Sequence, residues 1–151
     1  MSPTISTSSW ATFGLEDMEL AGAVSPAVAS AVTVVRSAFA GHAVHAWPDR
    51  LNGAFVVIDH LDLGPKWITT PTWLGFLISY LHPDTDCYPH YVRADLGRAD
   101  GQPLKAPFHR DREFAGIPAV MVSRASRRRN PSIDTPARKA LSVLDFMRGP
   151  S

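Results

Sequence analysis

Groups capable of covalent or ligating chemistry concentrate in His82-Pro-Asp-Thr-Asp-Cys-Tyr-Pro-His90, the segment that holds the chain's single cysteine. A thiol becomes a nucleophile when a base or a positive dipole lowers its pKa, and His82 or His90 could do this for Cys87. Asp84 and Asp86 act in the opposite sense, because their charge disfavours a thiolate. The competing reading is a small apolar side chain buried at a turn, the commoner fate of a free cysteine. His82, Cys87 and His90 also make a zinc half-site. No Cys-x-x-Cys pair and no His-x-x-x-His on an expected helix completes it, so no metal is expected.

Outside that segment the chemistry is sparser. Arg124 and Arg127 to Arg129 form a basic stretch that could touch phosphate, but it lacks interleaved aromatics. It reads as a solvated loop or, next, as a surface for a protein partner. No Gly-rich phosphate loop, nucleophile elbow or paired-carboxylate motif is present, and no cofactor is expected.

These residues sit in a chain of 151, the size of one domain, with 45% hydrophobic and 19% charged residues. That composition excludes a disordered tail, a collagen-like repeat and a coiled coil. Fifteen basic and fourteen acidic residues nearly cancel, which gives no reason to expect nucleic acid or an anionic membrane as partner. One cysteine cannot form an internal disulfide, and a reducing cytoplasm is the expected compartment. Residues 20–40 are apolar enough to raise the question of a membrane span. Pro26 and Arg36 within an Ala- and Val-rich stretch favour a soluble helix instead. Glu16, Asp17 and Glu19 ahead of that stretch, with no Lys or Arg before Arg36, are wrong for a signal peptide.

The elements that must position the candidate groups follow from pattern. Residues 1–24 are expected to be a flexible N-terminal segment and 25–148 a single domain. Ser25 as N-cap, Pro26 in the first turn and Val28, Val32, Val35 and Phe39 at helical spacing predict a helix over 26–40, stopped by Gly41. Strands are expected at 44–47, 55–63 and 73–80, with Asn52-Gly53 as a hairpin signal, and a short fourth strand at Tyr91-Val92. Residues 97–114 read as irregular, with two glycines, two prolines and little periodicity. Residues 119–122 read as a brief strand or a buried turn. A last helix begins after Asp134 or Thr135, with Ala137, Ala140, Leu141, Leu144 and Met147 as its apolar face and Gly149-Pro150 as its stop. The fold class is α+β.

This order, with three local phrases, resembles the bacterial E2-like proteins of the ubiquitin-conjugating (UBC) fold superfamily. Leu81-His-Pro-Asp-Thr-Asp-Cys-Tyr-Pro-His-Tyr-Val92 looks like that family's Tyr-Pro turn running into its fourth strand. Arg98-Ala-Asp-Gly101 resembles the short loop that follows. Ser123-Arg124 and Asn130-Pro-Ser-Ile-Asp134 resemble the approach to its last helix. The resemblance implies an N-terminal helix, a four-strand antiparallel meander, an irregular active-site stretch and a C-terminal helix. It also implies a ubiquitin-like protein and an E1-like activating enzyme as partners. Two departures stand out: His82 replaces the Tyr, and the stretch where the family's catalytic cysteine is expected reads Lys105-Ala-Pro-Phe-His-Arg-Asp111, without a cysteine. The expectation is an E2-like component that carries or positions a ubiquitin-like protein for acyl transfer. Cys87 would be the nucleophile, with His109 and Ser123 as supporting groups. The alternatives are a noncatalytic E2-variant binding module and a small metal-dependent hydrolase built on His82, Cys87 and His90.

Overall fold

The computed structural model describes residue 10 and residues 13–68, 70–126 and 128–149. The segment 1–9, expected to be loose, together with Arg127 of the basic stretch and Pro150 of the helix stop, lies outside the described residues. Among the described residues three helices flank one sheet: α1 (Asp17–Ala21), α2 (Pro26–Ala38) and α3 (Pro136–Arg148).

Helix α2 starts where its sequence says it should. The Ser25 hydroxyl accepts a hydrogen bond from the Val28 N–H at 3.4 Å, Pro26 occupies the first turn, and Val28, Ala31, Val32 and Val35 are buried. At α3 the cap is Thr135, whose hydroxyl accepts from Arg138 N at 3.3 Å, while Asp134 turns back to accept from Asn130 N at 2.6 Å. The buried face of α3 runs through Ala137, Ala140, Val143, Leu144 and Met147. Leu141, expected on that face, is exposed: it lies about 120° round the helix from Met147, and Val143 fills the stripe instead.

Residues 13–24 also differ from the flexible segment expected of them. Trp10, Leu20 and Val24 are buried, and Arg36 of α2 ties the segment down by pairing with Asp17 at 2.9 Å and donating to the carbonyls of Leu15 and Val44. The folded unit therefore begins upstream of residue 25. No helix among the described residues is long and apolar enough to cross a membrane.

Among the described residues the sheet has six strands: the four of the expected meander, one at 117–122 where a brief strand or a buried turn was expected, and one not expected. In chain order they are β1 (Val44–Pro48), β2 (Ala54–Leu61), β3 (Thr72–Ile78), β4 (His90–Arg93), β5 (Phe108–Phe114) and β6 (Ile117–Val122). All pairings are antiparallel, in the order β1-β2-β3-β4-β6-β5. The first four strands form the expected meander. The last two form a hairpin that adds to β4 through β6 and leaves β5 at the edge. Strand β5 was hidden in the irregular stretch because an edge strand needs no apolar alternation. Its residues Arg110, Asp111, Arg112 and Glu113 are exposed, and a register shift between His109 and Arg112, with Asp111 at φ 61°, breaks the period.

The two sheet faces bury different residues. On one side Val56, Ile58, Leu74, Phe76, Ile78, His90, Val92, Val120 and Val122 lie in the layer beneath α2 and α3. On the other, Trp10, Val57, Trp73, Phe114 and Ala119 form a second cluster with Trp47, Phe55 and Tyr91 at its margin. Gly75 in β3 is required by this second face, since a Cβ there would fall 2.7 Å from the Phe114 ring. Burial on both sides explains why β2 and β3 read as nearly continuous apolar runs.

Candidate functional site

The three predicted site residues are not assembled into one centre. Cys87 lies in the loop before β4 and belongs to the main core, its thiol directed at the Leu77 carbonyl at 3.5 Å. Burial, reinforced by the Asp86 carboxylate, pushes its pKa well above the usual thiol range, so the group is held as the neutral thiol. Ser123 follows β6; its hydroxyl meets the Tyr88 hydroxyl at 2.5 Å, and its N–H donates to the Pro107 carbonyl at 2.9 Å. His109 pairs in register with Met121, and strand alternation turns it to the face opposite Phe108. Among the described residues no hydrogen bond joins these three groups.

His90 is fully buried beneath α3. Its ring lies 5.1 Å from that of Phe76, and neither ring nitrogen has a hydrogen-bond partner among the described residues. Burial, with a smaller contribution from nearby Lys139, lowers its pKa to about 3. Above it a polar clamp joins two loops to the helix. The Lys139 ammonium donates to both oxygens of Asp86 at 2.9 and 3.2 Å and to the Ser126 hydroxyl at 2.6 Å, and Ser126 N–H also donates to Asp86. Burial works to raise the Asp86 pKa, but hydrogen bonds from Ser126 and Lys139 outweigh it and hold the carboxyl below its usual range. Among the described residues no three of His, Cys, Asp or Glu are arranged to ligate one ion. His82, Cys87 and His90 do not converge.

An open groove lies on the same face of the sheet, at the other end of α3. Its wall is made by pairing the loop after β2 with the loop after β4: Ile68 N donates to Gly97 O at 3.0 Å and Ala99 N to Lys66 O at 2.8 Å. Trp67 is fixed between them, because its indole N–H donates to the Met147 carbonyl at 2.8 Å and satisfies one of the last carbonyls of α3. From Trp67 an aromatic row continues to Phe108, edge-on at 5.3 Å, and to Phe146, stacked on Phe108 at 5.9 Å. The Arg124 guanidinium lies 4.0 Å over the Phe146 ring. The resulting cavity is about 440 Å³, floored by Trp67, Leu104, Phe108, Phe146 and Met147. That volume suits a small molecule or a few residues of extended peptide.

The rim is basic. Lys66, Arg98 and Lys105 line it with one acid, Asp100. Arg98 grips Asp100 through two hydrogen bonds at 2.6 and 3.0 Å, which lower the Asp100 pKa and neutralise both partners. Among the described residues Lys66 and Lys105 have no ion-pair partner. This groove can therefore hold an apolar chain or ring and attract a negative charge at its edge.

Of the groove residues, the sequence singled out the stretch beginning at Lys105, the loop Arg98-Ala-Asp-Gly101 and Met147 on the last helix. Trp67 was missed. The available signal was a lone tryptophan just after the Gly64-Pro65 break, where an exposed loop would ordinarily be polar. Comparison with family models, curated proteins and solved structures finds no match to this chain. Among the described residues the architecture is α+β, with three helices and a six-strand antiparallel sheet.

Proposed function

We propose that the protein is a noncatalytic E2-like binding module of a ubiquitin-like conjugation system, which holds a ubiquitin-like protein and seats its C-terminal tail in the Trp67–Phe108 groove. The reading combines the UBC-like resemblance with one observation. The stretch in which that resemblance puts the family's cysteine lines the groove, and it brings Lys105 and Phe108 rather than a thiol. Acyl transfer needs a nucleophile beside the bound carbonyl. The chain's single thiol is sealed in the core and held neutral, so it lacks both access and ionisation. An apolar floor with a cationic edge suits a tail that ends in a carboxylate. This favours the positioning role over the carrying role.

The test combines the protein with a ubiquitin-like protein, its activating enzyme and ATP. The expected result is a stoichiometric noncovalent complex that survives Cys87→Ser and His109→Ala and is weakened by Phe108→Ala. Iodoacetamide should label Cys87 more slowly than a free thiol peptide at every pH from 6 to 8. A thiol-sensitive adduct that disappears in Cys87→Ser would overturn the module in favour of a thioester enzyme.

A further inference from the structure

We infer that the groove reads the free carboxylate at the end of the bound tail, so that the module distinguishes an unconjugated partner from one whose C-terminus is already in an amide or thioester. The inference rests on the reading above and adds to it the chemical state of the tail. Lys66 and Lys105 both line the groove, on opposite contributing loops, and neither is matched by an acid among the described residues. The one acid on the rim, Asp100, is held by Arg98 and leaves the two ammonium groups uncancelled. Lys66 comes from the loop after β2, which also carries Trp67, and its ammonium lies against Gly149 where α3 ends. Lys105 comes from the loop that leads into β5, one turn from Phe108, whose N–H donates to the Lys105 carbonyl at 3.0 Å.

The physical basis is the loss of charge on acylation. A free carboxylate presents two oxygens and a full negative charge to ammonium donors, whereas an amide or thioester carbonyl presents one weak acceptor. A thioester enzyme has the opposite need, since the tail end it holds is acylated and neutral. Two lysines in the lining of an apolar groove, without an acid partner among the described residues, thus favour the tail before activation or after release. The floor of Trp67, Leu104, Phe108 and Phe146 supplies affinity to both forms alike, and the lysines supply the difference.

The experiment uses N-dansyl-Val-Leu-Ala-Leu as the free acid and as the C-terminal amide, with fluorescence anisotropy against the full chain. The expected result is roughly tenfold tighter binding of the acid, a preference that shrinks as salt is raised. Lys66→Gln with Lys105→Gln should bring the acid to the affinity of the amide and leave the amide unchanged, with an unaltered melting temperature. Equal binding of acid and amide to the unsubstituted protein, or an acid preference that survives in the double variant, would overturn the inference while leaving the groove as a tail site. If neither peptide binds, the groove is not a tail site, and this inference falls with the reading on which it rests.

Discussion

The two ends of α3 make opposite uses of similar residue types. At the N-terminal end, Asp86, Cys87, His90, Ser126 and Lys139 bring a thiol, an imidazole, a carboxylate and an ammonium together, yet Cys87, His90 and Lys139 are buried, and the half-buried Asp86 and Ser126 are taken up by the Lys139 ammonium. At the C-terminal end, Trp67, Phe108 and Phe146 are mostly carbon, yet they face an open groove with unmatched lysines at its edge. The first region is rich in reactive groups and holds the fold together. The second has little intrinsic reactivity and presents the surface suited to binding. Access and desolvation, more than residue type, separate a site from a structural cluster.

Breaking the sealed end should have the largest effect. Phe76 is fully buried against His90, and Phe76→Ala should cost roughly 3–5 kcal/mol by chemical denaturation. A loss below about 1 kcal/mol would mean that this end is not close-packed. Lys139→Met should cost roughly 2–3 kcal/mol, because Asp86 would keep its charge and lose its ammonium. Adding Asp86→Asn should recover most of that loss, since the amide oxygen still accepts from Ser126 and no charge is stranded. Failure of this double substitution to recover stability would show that the pair itself, and not the stranded charge, accounts for the cost.

The same end predicts a pH dependence. The folded pKa of His90 is about 3, below its ordinary 6.5, so between these values the unfolded chain binds a proton that the native protein excludes. Stability therefore falls as pH is lowered from 6.5 toward 3, by roughly 2 kcal/mol at pH 5 from this group alone. His90→Leu should remove that component. It should also leave the protein at least as stable at pH 7, because two buried nitrogens without partners are replaced by carbon. Denaturation curves of both proteins at pH 7 and pH 5 check both statements, and equal slopes would refute the assignment to His90.

The groove end should respond least in stability. Phe146 is 36% exposed, and Phe146→Ala should lower stability by about 1 kcal/mol or less while weakening peptide binding several-fold. A loss comparable to that of Phe76→Ala would make the aromatic row part of the core and would erase the contrast between the two ends.

Local rules made part of this architecture legible. Ser25 and Pro26, like Thr135 and Pro136, announce helix starts through capping and a pre-set φ, which act within a few residues. The apolar runs of β1 to β3 and the Asn52-Gly53 turn likewise carry their own signal, with Asn52 at φ 68°. Strand β5 and the hairpin it forms with β6 were less legible, because β5 is charged and exposed and depends on its partner for its backbone hydrogen bonds. Trp10 and Leu20 show the same limit at the other end of the chain, since their burial comes from neighbours distant in sequence.

The sequence by itself determined an α+β chain with two capped helices, an antiparallel meander and one thiol in a turn rich in acids and histidines. Only the tertiary structure decided that Cys87 and His90 point inward, that Lys139 of α3 neutralises Asp86, and that Trp67, Phe108 and Phe146 align into one groove. The reason is range. Capping, turn geometry and periodicity act over a few residues. Burial, by contrast, and with it pKa and access, is set by contacts such as the one from Trp67 to Met147, which spans 80 positions in the chain.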